Sequence, residues 1–153
     1  MVEALVALVV LSFSALGYAA LQVKGVSSNA SALTRSKATQ LAADMADRMR
    51  ANNSPDAMAV YTTFNGLAPE PSCGNAGAPC SPADMAQLDI SQWLKTVSSE
   101  LPEGSGLVCL DNTPAGGTPA SPACDPGSSV LAVKVFWKER GEDQPPVWIS
   151  VRP

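Results

Sequence analysis

The first 23 residues, MVEALVALVVLSFSALGYAALQV, form an apolar run with a single charge, Glu3, and end at Lys24. No water-soluble domain of this size tolerates such a run on its surface, so this feature constrains the fold most. At 1.5 Å per residue, 23 helical residues reach roughly 35 Å, against a bilayer hydrocarbon core of about 30 Å. A cleavable secretory signal would show a basic start and a small-residue cleavage site; neither is visible, so the run is expected to stay in the mature chain. Val2, Leu5, Leu8, Val9, Leu11, Phe13 and Leu16 are its candidate membrane or filament-core residues. Glu3 is the anomaly. An ionisable group in such a segment is costly unless it lies at the head-group level or meets a cation, for instance the terminal amine of a neighbouring subunit.

Proline, cysteine and charge divide the chain near residue 54. All 13 prolines and all four cysteines lie at or after Pro55, whereas residues 1–53 hold neither and only two glycines, Gly17 and Gly25. Residues 1–53 carry five basic and three acidic groups, net +2; residues 54–153 carry five and eleven, net −6. The organisation expected is a long helix over 1–53, with 1–23 as its transmembrane or filament-core half and 24–53 as an amphipathic half packed on a head over 54–153. Past Lys24, Val26, Ala30, Leu33, Ala38, Leu41, Ala42, Met45 and Met49 recur at three to five residues, the pattern of one packing face. Asp44 and Arg48 are spaced for an i,i+4 ion pair. Asn52-Asn53-Ser54-Pro55 ends the helix.

In the head, residues 55–82 read as a turn-rich stretch. Ser81-Pro82-Ala83-Asp84 has the composition of a helix start, and a helix over about 82–99 follows, with Trp93 as a core anchor. Strand patterns lie at 106–110, 130–137 and 147–151, and alternation puts Leu131, Val133, Val135 and Trp137 on one face and Val130, Ala132, Lys134 and Phe136 on the other. Residues 139–146 read as an exposed loop. Four cysteines, with no histidine and no C-x-x-C pair, point to disulfides and not to metal, and hence to an oxidising compartment. They allow three connectivities; Cys73–Cys80 with Cys109–Cys124 is favoured because each pair brackets Pro/Gly/Ser-rich sequence able to turn back on itself. An acidic head gives nucleic-acid binding no electrostatic support. No phosphate-binding glycine loop or nucleophile elbow is present, so catalytic residues, cofactors and a small-molecule substrate are not expected.

The run MVEALVALVVLSFSALGYAALQ resembles the class III signal and core helix of type IV pilins, which begin with a methylated Phe and carry a glutamate shortly after it; Glu3 matches that glutamate. By this alignment the sequence starts two residues late, so the Phe and any leader lie outside it. Gly25, Ser27 and Ser28 stand near the place where many pilins have a proline. RSKATQLAADMADRMRANN (35–53), SPADMAQLDISQW (81–93) and LPEGSGLVC (101–109) resemble the PilV-type minor pilins. The resemblance implies an α+β pilin fold, a long N-terminal helix as stem on a small antiparallel β-sheet head with two disulfides. It implies a structural, non-enzymatic minor pilin of a priming or tip complex, supporting pilus biogenesis, adhesion and twitching motility. Its partners would be other minor pilins, the major pilin and a tip adhesin. The chain would reside in the inner membrane, head in the periplasm, before assembly and in the extracellular pilus afterwards, with Glu3 setting assembly register. A minor pseudopilin of type II secretion and a membrane-anchored periplasmic binding domain are the alternatives.

Overall fold

The computed structural model describes residues 1–63, 71, 73 and 79–152, so most of the turn-rich stretch before Cys80 lies outside the described residues. They form two compact units, Met1–Thr34 and Arg35–Pro153. The first helix, α1, runs Val2–Ala51 and contributes to both. In the first unit it is exposed throughout its apolar length.

The second unit is α+β. Its helices are the end of α1, α2 (Pro55–Thr63) and α3 (Pro82–Glu100), and its strands are β1 (Ser105–Leu110), β2 (Leu131–Phe136), β3 (Lys138–Glu139), β4 (Glu142–Asp143) and β5 (Val147–Val151). An antiparallel sheet in the order β1-β2-β5 forms the main layer, and β3 pairs with β4 in a small hairpin. The long helix with a small antiparallel sheet and two disulfides is the architecture that the pilin resemblance implies.

Two expectations need correction. Residues 55–63 are helical and not merely turns: Ser54 caps them, its Oγ accepting from Ala57 N at 3.3 Å, and Pro55 takes the first helical position, where its missing N–H costs nothing. The expected loop at 139–146 contains the β3–β4 hairpin, which turns at Arg140 and Gly141, both with positive φ. The helix start at Ser81 is as read, with Ser81 Oγ accepting from Asp84 N at 3.2 Å.

One sheet face carries the core. Val108, Leu131, Val133, Val135, Val147 and Val151 meet Ala38, Ala42, Met45 and Met49 of α1, Ala57 and Tyr61 of α2, and Ile90, Trp93 and Val97 of α3 in one buried cluster. Small alanines at 38, 42 and 46 let the helix backbones approach. Trp93 lies against β1 so closely that a Cβ on Gly106 would sit 2.3 Å from its ring, and its Nε1 donates to Leu41 O at 2.8 Å. Polar ties at the rim hold the helices together. Arg48 bonds Asp44 at 3.0 Å and Asp89 at 3.3 Å, Tyr61 donates to Asp89 at 2.9 Å, and Lys37 pairs with Glu100 at 2.7 Å. Burial, and then the bond to Asp89, pushes the Tyr61 phenol above its ordinary range, so it remains a hydrogen-bond donor at every physiological pH.

Candidate assembly surface

Two sites stand out, one in each unit. In the first, Val2, Leu5, Val9, Phe13 and Leu16 recur at three or four residues and form one stripe of α1, with Leu8 and Leu11 on other sides. All seven are exposed, Leu8 at 60% and Phe13 at 71%. Apolar surface therefore surrounds the helix, the pattern of a segment whose solvent is lipid or other helices. By length and composition α1 is long and apolar enough to cross a membrane, and its most apolar stretch is nowhere buried.

The few polar groups of this stretch are largely spoken for. Ser12 Oγ donates to Leu8 O at 2.7 Å and Ser14 Oγ to Val10 O at 2.9 Å, so each hydroxyl satisfies its donor on its own helix. Glu3 differs. It lies exposed in the first turn, where a carboxylate is favoured by the helix dipole. At about 100° per residue it shares its side with Ala7, Val10, Ser14, Gly17 and Leu21. A Cβ at Gly17 would meet nothing within 4 Å, as at Gly25.

In the second unit, residues 111–124 cover the sheet face opposite the core. Cys109 and Cys124 form a disulfide that closes this segment on β1, and Cys73 and Cys80 form the other bridge. Under this segment, Lys134 of β2 is fully buried and ion-paired with the equally buried Asp111. Its Nζ also donates to Pro122 O at 2.7 Å and Gly116 O at 3.1 Å. Asp111 Oδ1 accepts from Thr113 N at 2.7 Å. Burial alone would raise the Asp111 carboxyl, but Lys134 and the Thr113 N–H outweigh it and hold it below the usual carboxylate range. Sequence reading placed Lys134 on the non-core face of its strand and missed its partner, because nothing in the spacing of residues 111 and 134 signals contact across two strands.

Among the described residues, no group of three or more His, Cys, Asp or Glu side chains could hold a metal ion. A cleft of about 410 Å³ is lined by Arg48, Asn52, Pro82, Met85 and Asp89 among others. Its charged groups, Arg48 and Asp89, bond each other, so their charges are already matched.

No curated protein and no solved structure matches the chain. Residues 20–91, just under half of the chain, match the Tt1218-like family model, described as type IV pilin Tt1218. Over the second part of the long helix and the first part of the head, the chain is thus similar to a type IV pilin.

Proposed function

We propose that this chain is a PilV-type minor pilin, a structural subunit that joins other minor pilins in a priming or tip complex and enters the fibre through α1. The observation that carries the reading is the union of two parts in one chain: an unburied apolar helix with one acid near its start, and a disulfide-bonded α+β head. The match of residues 20–91 to a pilin family, whose members are structural subunits, supports it. Residues 1–23 would lie in the inner membrane before assembly, with the head in the periplasm, and in the helical core of the extracellular pilus afterwards. No bond is made or broken. The work is extraction of a helix from lipid and its docking among like helices, where packing of small and apolar side chains replaces lipid contact.

Glu3 would set the register of the incoming subunit by meeting a cation of a neighbour, since a carboxylate buried without one costs several kcal/mol. The test is to express Glu3→Gln or Glu3→Ala beside the native minor pilins and compare its amount in membranes and in sheared pili by mass spectrometry. Full membrane content with loss from the fibre is expected. Wild-type recovery in the fibre would reduce Glu3 to an ordinary interfacial acid, and absence of the wild-type chain from sheared pili would overturn the pilus assignment in favour of a secretion pseudopilin or an anchored binding domain.

A further inference from the structure

The segment between Asp111 and Cys124 has almost nothing with which to fold by itself. Its sequence, DNTPAGGTPASPAC, supplies small, neutral and turn-forming residues and no large apolar side chain. Most of it is exposed. Yet it is tightly built. Thr118 N donates to Ser121 O at 2.9 Å and Ser121 N to Thr118 O at 3.1 Å, closing a turn with Pro119 and Ala120 at its tip. Gly117 has a φ of +103°, and a Cβ there would lie 2.4 Å from Pro122 O, so the two feet of the turn touch backbone to backbone. The carbonyls of those feet, Gly116 O and Pro122 O, both point at one atom, Lys134 Nζ, whose third contact is the Asp111 carboxylate.

A carboxylate and two main-chain carbonyls surround this buried positive charge; they are the ligand types that hold hard cations, here three where such an ion takes six or more. Here the cation is delivered on a side chain from the central strand. Two of the ammonium's three donors go to the carbonyls, and its remaining side faces the Asp111 carboxylate in an ion pair. Two converging carbonyl dipoles repel one another unless a positive charge lies between them, so the charge is a condition of the turn's closure and not an addition to it.

We infer that the 111–124 loop is an oxygen cage folded around the Lys134 ammonium as a tethered cation, and that this charge, more than the Cys109–Cys124 bridge, orders the Gly116–Pro122 turn. The bridge ties only the end of the segment, two residues beyond the nearer foot. A loop closed by the bridge to Cys109 and held at 112 and 113 still has the torsions of 114–121 to order, whereas the ammonium fixes both feet at once.

The test uses the full chain in detergent micelles and reads amide hydrogen exchange at Thr118 and Ser121, with Val133 and Val135 of the central strand as the fold reference. In Lys134→Ala the loop amides should gain at least tenfold more in exchange rate than the reference amides, whose own change reports the loss of global stability. Millimolar n-propylammonium, which has the atoms of the lysine beyond Cβ, should restore loop protection, and 1-propanol, of the same shape without the charge, should not. Reduction of the disulfide in the wild-type chain should change the Thr118 and Ser121 rates by less than about threefold. A loop gain in Lys134→Ala no larger than that of the reference amides, restoration by 1-propanol as good as by n-propylammonium, or release by reduction as large as that by Lys134→Ala would each overturn the inference. Should Lys134→Ala not fold, the wild-type chain decides. Slowly exchanging Lys134 ammonium protons with through-hydrogen-bond couplings to the Gly116 and Pro122 carbonyl carbons support the cage, and a fast-exchanging ammonium without them rejects it.

Discussion

A buried charge is the most exacting residue-scale feature of the head. Lys134 and Asp111 are both fully buried, so each depends on the other, and removing one strands its partner. Asp111→Ala should therefore cost about 3–5 kcal/mol, against the 0–1 kcal/mol expected for an exposed pair. The pH dependence follows from the depressed Asp111 carboxyl. Its contribution is fully present above the unfolded-state value, near 3.9, and is lost as pH falls through the lower folded-state value. Glu100, held low by the bond to Lys37, acts in the same direction at the surface. Urea midpoints should thus drop below about pH 4 in the wild type and drop less steeply in Asp111→Asn. Identical acid profiles for the two would show that Asp111 is not the group responsible. At the alkaline end, Glu103 raises Lys138, whose contribution is complete below the unfolded lysine value and lost as pH rises through the folded one.

Among the elements, β1 and α3 are matched by one glycine. Gly106 pairs with Val135 in the sheet and faces the ring of Trp93, which leaves no room for a Cβ. Gly106→Ala should cost about 1–3 kcal/mol by overpacking, measured as a shift in the urea midpoint. An unchanged midpoint would mean that α3 can retreat from the strand at little cost. Gly25 offers the contrast. It lies within α1 with nothing near it, so alanine there meets no neighbour and gains helix propensity instead. The same elements show where sequence reading succeeds and fails. Ser81-Pro82 was legible as a helix start because an amphipathic stretch follows it. Ser54-Pro55 has the same chemistry, but only nine residues follow in α2, too few for a periodic signal, and burial of Ala57 and Tyr61 supplies what periodicity does not.

For the whole molecule, solvent preference divides the chain. Every large apolar side chain from Val2 to Val26 is exposed, while the second unit has its own buried core. The intact chain should require detergent, membrane or a fibre, and a truncated chain starting near Ser27 should be monomeric in plain buffer with both disulfides formed. Size-exclusion chromatography with light scattering checks both. A monodisperse intact chain without detergent would overturn the membrane and fibre reading of residues 1–23.

The sequence by itself determined whatever is local and periodic. The apolar run and its lone acid, the break at Asn52–Pro55, the start of α3 at Ser81 and the alternation of β2 are set by nearest neighbours along the chain, through helical and pleated repeats and through caps. Only the tertiary structure decided that Arg48 and Tyr61 converge on Asp89, that Trp93 fills the place left by Gly106, and that Lys134 reaches Asp111 and two carbonyls of a loop with no periodicity of its own. These partners lie between 12 and 41 residues apart, or on separate strands, and a contact of that kind has no local signature. It exists because burying a charge or a polar ring is costly unless the fold brings a partner near it.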